Sequence, residues 1–221
     1  MKALIFDFDG LMVDTETPVY ESWQALYREH GQELALETYV QCVGSTVQQF
    51  DPLTALQNLL GESVNLDREE TTRIQHAGVR ERSFGRNTLP GVRELIAEAQ
   101  QSGIRLALAS SSPTNWIEPW LERLALREAF EVVRTRDNVS EAKPSPELFL
   151  SAAQALDIDP DESLVLEDSL NGLRAAQAAG MRCVVVPNAI TGGLDFSAAN
   201  LILKSLADLS LAEILTKVQS S

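Results

Sequence analysis

Apolar positions gather in short runs along this chain, with longer amphipathic stretches between them. The blocks occupy residues 3–6, 104–109, 131–134, 163–166 and 182–186, with a weaker one at 201–203. Apolar runs of this length suit strands buried on both faces of a parallel sheet. Residues 91–101 bring Val92, Leu95, Ile96 and Ala99 to one helical face and stop at Gly103, and residues 170–179 stop in the same way at Gly180. Ser145 and Pro146 predict a helix N-cap followed by its first residue. Strand and helix in alternation predict an α/β fold, a doubly wound, Rossmann-like parallel sheet.

No strand pattern interrupts residues 7–103, far more chain than one crossover needs. Helical patterns fill the gap at 17–29, where Tyr20, Trp23, Leu26 and Tyr27 share a side, at 47–60 and at 68–84. The expected organisation is an α/β core built from residues 1–15 and 86–221, with a small all-helical domain inserted over 16–85. The two connections between them would act as a hinge.

With 221 residues, the chain can bury a substantial core without staples. Cys42 and Cys183 lack metal-like or CxxC spacing and read as packing residues. No apolar stretch approaches the ~20 residues of a membrane span, and the expectation is a soluble, cytoplasmic protein. A formal charge of −14 repels nucleic acid and anionic membranes, so neither is an expected partner. It does not exclude a small phosphate, because a divalent cation and one lysine can reverse the field locally. Nothing in the sequence sets the oligomeric state, and a monomer is compatible with it.

The candidate chemistry sits where the apolar blocks end. Asp7 and Asp9 follow the first block, Ser110 the second, and Asp168 the fourth, while Lys143 lies in the loop after the third. In a doubly wound sheet these are the carboxyl ends of the strands, where ligands bind. Asp7 and Asp9, two apart in extended backbone, project to one face, and Gly10 permits a turn. Asp9-Gly10 also reads as a plain turn, and Asp14 as either a site residue or a cap. Ser110 and Ser111 open a helix whose free N–H groups could cradle phosphate, or they simply cap it. Lys143 could be a solvated surface lysine, but its place between Ala142 and Pro144, in a loop held by Pro144 and Pro146, fits a fixed cation better. Glu167 and Asp168 suit a helix N-terminus, yet their repulsion with Asp7 would be relieved by a hard cation. His30 and His76 fall in the helical insert, and Trp23, Trp116 and Trp120 read as helix-packing residues.

The ordered segments DFDGLMVDTE (7–16), LASSSP (108–113), KPSPELF (143–149) and EDSLNGLRAAQAAGM (167–181) resemble the signature of the haloacid dehalogenase-like superfamily. The likeness runs from residue 2 to about 186, and the insert resembles the helical cap of the branch that holds β-phosphoglucomutase and phosphoglycolate phosphatase. That resemblance implies Asp7 as nucleophile forming an aspartyl-phosphate, and Asp9 as general acid, then base. It implies Mg²⁺ held by Asp7, Asp168 and the Asp9 backbone carbonyl, with Glu167 assisting directly or through water. It implies Ser110, with Ser111 beside it, and Lys143 as ligands of the transferring phosphoryl group.

Within the superfamily, Asp9 favours phosphate chemistry over dehalogenation, since halide leaves without a proton. The mutases carry a histidine five residues beyond the last aspartate of the opening segment and an arginine three beyond a cap glycine. Those places hold Val19 and Val47 here. The reading is a Mg²⁺-dependent phosphatase of a small phosphorylated metabolite, a sugar phosphate foremost. A hexose-phosphate mutase is the alternative, and a phosphorylation-dependent signalling module stands further off. Substrate choice is expected to reside in cleft-facing residues such as Glu16, Ser45 and Arg82.

Overall fold

The structure, a computed structural model, describes residues 1–44, 50–61 and 66–220. After β1 (Ala3–Phe6) come helices α1 (Glu16–Glu29), α2 (Leu36–Tyr39), α3 (Pro52–Leu60), α4 (Arg68–Ser83) and α5 (Val92–Gln101). Then β2 (Arg105–Ala109), α6 (Thr114–Arg123), β3 (Val132–Arg134), α7 (Glu147–Ala155), β4 (Ser163–Glu167), α8 (Leu170–Ala178), β5 (Arg182–Val185), β6 (Leu201–Ile202) and α9 (Leu211–Ser220) alternate to the end.

The six strands form one parallel sheet in the order β3-β2-β1-β4-β5-β6. Strand order reverses between β1 and β4, which makes their carboxyl ends the switch point. Side chains alternate across the sheet as strand geometry requires. Leu4, Phe6, Leu106, Leu108, Leu164 and Leu166 face α5, α6 and α9, whereas Ala3, Ile5, Ala107, Ala109 and Val165 face α7 and α8. Both faces are therefore covered, which explains why the strands read as apolar runs.

Some elements differ from expectation. Helix α7 begins at Glu147, after Pro146, and Ser145 Oγ accepts only a long 3.4 Å bond from the Glu147 amide, because Pro146 takes the flanking position. Of the helix expected over 47–60, the described part is α3, N-capped by Asp51, while residues 47–49 lie outside the described residues. Helix α9 was not anticipated, although Leu211, Ile214 and Val218 carry a helical spacing and pack on the core. Neither cysteine is bonded to the other. No helix among the described residues is long and apolar enough to cross a membrane.

Helices α1 to α3 share a cluster apart from the two sheet faces, built on Tyr27, Leu34, Tyr39, Val43 and Leu56 and joined by Ile190 from the loop after β5. The chain leaves and returns along tied segments. The Leu89 amide donates to Met12 O at 2.8 Å, Arg86 pairs with Asp14, and the Arg123 guanidinium donates to Arg86 O.

Candidate functional site

The sheet brings together residues 161 positions apart in the chain, from Asp7 to Asp168. Asp7 follows β1, and its amide donates to Leu166 O at 2.9 Å, so the ends of β1 and β4 are locked in register. The Asp7, Glu167 and Asp168 carboxylates are buried, with one oxygen of each within 4.8 Å of the others. Lys143, only 1% exposed, donates to Asp7 Oδ1 and, at 2.7 Å, to Glu167 Oε1. Its Nζ also stands 4.7 Å from the centre of the Phe149 ring. The Lys143–Pro144 peptide is cis.

Glu167 is fixed more firmly than its neighbours. Its Oε2 accepts from the Asp168 and Ser169 amides, both at 2.8 Å, and from Ser169 Oγ at 2.9 Å. Ser169 in turn caps α8 by accepting from the Gly172 amide. Gly172 has to be glycine, because a Cβ there would overlap the Glu167 carboxylate. Gly10, at φ +82°, has the left-handed turn and the close approach together, since its Cβ would overlap Asp168 Oδ2.

Charge in this cluster does not balance. Burial would strip the Lys143 proton, but the Asp7 and Glu167 carboxylates outweigh it and raise the lysine pKa above the ordinary range. Burial pushes Asp7 well above the usual carboxylate range, Lys143 pulls it back, and Glu167 and Asp9 push it up again. Asp168 is raised by burial and then by Glu167, Asp7 and Glu16. Three buried carboxylates against one ammonium leave an excess of negative charge. The donor set is all oxygen and anionic, which suits a hard divalent cation such as Mg²⁺.

Asp9 belongs to a different set. Its side chain accepts four hydrogen bonds. Thr15 Oγ1 and Trp116 Nε1 donate to Oδ1, both at 2.8 Å, while Ser112 Oγ at 2.7 Å and Ser110 Oγ at 3.2 Å donate to Oδ2. The two aspartates thus start from one strand end and address separate partners.

The expected N–H cradle at the start of α6 is largely spoken for. The Ser110 amide bonds Arg134 O, the Ser112 amide bonds Ser110 Oγ, and the Thr114 amide bonds Asp137 Oδ2. Ser110 itself is buried beside Asp9, whereas Ser111 reaches the other way, to Gly44 O at 3.2 Å. Glu16, half-buried at the start of α1, lies within the field of the site: burial and then Asp9, Asp14 and Glu167 push its pKa up to about 8. Arg82 stands exposed on α4. Ser45 and Val47 lie outside the described residues. His30 is the C-cap of α1.

Sequence reasoning missed four partners. Thr15 and Ser112 sit inside the recognised segments, so their hydroxyls were available signals. Trp116 was read as packing only. Asn188, whose Nδ2 donates to Asp168 Oδ2 at 2.6 Å and Gly10 O at 3.3 Å, lies in a loop with no motif around it.

The sequence model described as "Haloacid dehalogenase-like hydrolase" matches residues 4–186. The chain is similar to the Bacillus subtilis protein YhcW, with 41% identity over 220 residues, covering 100% of this chain and 99% of that one. It is also similar to hexitol phosphatase B of Escherichia coli K12, at 31% identity over 217 residues and 96% of each chain. Among solved structures, β-phosphoglucomutase of Clostridium difficile superposes with a TM-score of 0.80 at 25% identity, over 100% of this chain and 98% of that one.

Proposed function

The chain belongs to the haloacid dehalogenase-like hydrolases, and on that basis we propose that it is a Mg²⁺-dependent phosphatase of a small phosphorylated metabolite, a sugar phosphate foremost. The observation that carries the reading is the buried cluster at the switch point, where Asp7 meets Lys143 among an excess of carboxylates. A signalling module no longer fits a chain of this hydrolase family.

Asp7 attacks phosphorus and forms an aspartyl-phosphate, which water then hydrolyses. Lys143 stabilises charge on the transferring group and holds Asp7 through their ion pair. Ser110 and Ser111 bind phosphoryl oxygens, which requires Ser111 to exchange Gly44 O for substrate. Asp9 protonates the leaving alcohol and later takes a proton from water. Asp7, Asp168 and the Asp9 backbone carbonyl would hold Mg²⁺, with Glu167 behind them. When bound, the ion supplies charge neutralisation at the transferring phosphoryl oxygens.

Residues 1–15 and 86–221 form the catalytic core and 16–85 a cap that carries substrate choice. The separate apolar cluster of α1 to α3 supports this division. Glu16, at the start of α1, would meet a substrate hydroxyl, with Ser45 a further candidate.

The likeness to β-phosphoglucomutase favours a second reading, a hexose-phosphate mutase. Against it, Val19 packs into the helical cluster where the mutase has a histidine. A phosphate-release screen over many phosphomonoesters with Mg²⁺, beside an assay for bisphosphate-primed interconversion of hexose 1- and 6-phosphates, separates the two. Release without interconversion is expected, and interconversion would select the mutase. Asp7→Asn is expected to abolish release with the fold intact. Asp9→Asn is expected to slow alkyl ester turnover by ~10²- to 10⁴-fold.

A further inference from the structure

Of the four donors around Asp9, three are hydroxyls, which can turn and accept. The fourth, the indole N–H of Trp116, can only donate. Its direction is set by packing. The Trp116 ring lies edge-on to Trp120, with centroids 5.9 Å apart and planes at 67°. Trp120, buried, meets Phe8 at 6.1 Å and Phe84 at 5.7 Å. Phe8 is the residue between the two aspartates, so the backbone that carries Asp9 also carries part of the stack that aims the indole at it. A large ring with few rotatable bonds holds such a position at low entropic cost.

An obligate donor 2.8 Å from Oδ1 keeps that oxygen an acceptor whether or not the carboxyl carries a proton. Oδ2, by contrast, is met only by the Ser112 and Ser110 hydroxyls, which can turn from donor to acceptor. We propose that Trp116 is a positioning residue for proton transfer, holding Oδ1 so that Oδ2 is the oxygen that gives and takes the proton. This deepens the phosphatase reading and rests on it. In the first step a bond forms from Asp7 to phosphorus while the bond from phosphorus to the alcohol oxygen breaks. The leaving oxygen keeps the electron pair and receives the proton from Asp9 Oδ2. In the second, the water oxygen bonds phosphorus, its proton passes to Asp9 Oδ2, and the bond to Asp7 breaks with its pair returning to the carboxylate.

The test is the dependence on leaving group. Trp116 is replaced by β-(3-benzothienyl)alanine, which keeps the shape and substitutes sulfur for N–H, and separately by Trp116→Phe. With Mg²⁺, kcat/KM is measured on p-nitrophenyl phosphate, whose leaving group needs no proton, and on the alkyl phosphate that the wild type hydrolyses fastest. Both variants are expected to lose roughly tenfold on the alkyl ester, the worth of one such hydrogen bond, and less than about twofold on the aryl ester. Trp120→Phe, which disturbs the stack that aims the indole, is expected to give the same preferential loss on the alkyl ester. Equal losses on the two esters in the benzothienyl variant, or no loss on either, would overturn the role of Trp116 while wild-type turnover and its abolition in Asp7→Asn leave the phosphatase reading standing. A wild type inert on both esters would overturn the two together.

Discussion

Lys143 keeps its charge in the interior only because Asp7 and Glu167 share it. Removing one partner of such a buried set leaves charges with neither water nor counter-ion. Lys143→Met is therefore expected to destabilise the protein by about 3–5 kcal/mol, read from urea unfolding without Mg²⁺. A loss below about 1 kcal/mol would mean that water reaches the carboxylates after all. Gly172 tests the same locality from the opposite direction, because any Cβ must displace the Glu167 carboxylate. Gly172→Ala should cost about 1–3 kcal/mol by overpacking and loosen Lys143 through Glu167. At this scale the sequence was readable where a charged group follows a strand end, as at Asp7 and Asp168, or stands in the loop beyond one, as at Lys143. It was silent on Asn188, because an asparagine in a loop carries no mark of the carboxylate it will meet.

Helix α3 shows what a single cap contributes to an element. Asp51 accepts from the Leu53 amide at 3.1 Å, Thr54 Oγ1 at 2.6 Å and Arg68 Nη2 at 2.5 Å. Its partial burial works to raise its pKa, but these donors prevail and hold it below the usual range. A carboxyl depressed in the folded state stabilises fully above its unfolded value, ~3.9, and loses that contribution as pH falls through the folded one. Asp51→Ala is accordingly expected to lower stability by about 1 kcal/mol near neutrality. The gap in thermal midpoint between variant and wild type should close as the pH drops below ~4, and a gap that persists in strong acid would rule the cap out. Strands were legible as elements because burial on both sheet faces demands apolar runs. The start of α7 was not, since proline and serine at a helix entrance permit either of two adjacent beginnings.

Across the whole molecule, folding gathers more negative charge at the switch point than the one lysine offsets. Mg²⁺ should therefore raise the thermal midpoint, because an ion bound only by the folded state stabilises by about 2.7 kcal/mol at a hundred times its Kd. Asp168→Asn should diminish that shift, and an equal shift in wild type and variant would place the ion elsewhere. This readout does not depend on turnover. The ties between residues 12–14 and 86–89 matter at the same scale, since they fix where the helical segment departs from and rejoins the sheet.

Periodicity and turn chemistry are local, so the sequence by itself determined the alternation of strands and helices, the run of helices between the first two strands, the strand-end residues Asp7, Ser110, Glu167 and Asp168, and Lys143 in the loop after β3. Contacts between distant segments are not local. Only the tertiary structure decided that Lys143 bridges Asp7 and Glu167, that Ser111 turns toward Gly44, that Arg82 stays on the surface, and that Asp9 meets four donors. Trp116 shows the difference most plainly. Its ring could be foreseen as packing, but its N–H found Asp9 only through the parallel pairing of β1 with β2, which sets their following loops side by side.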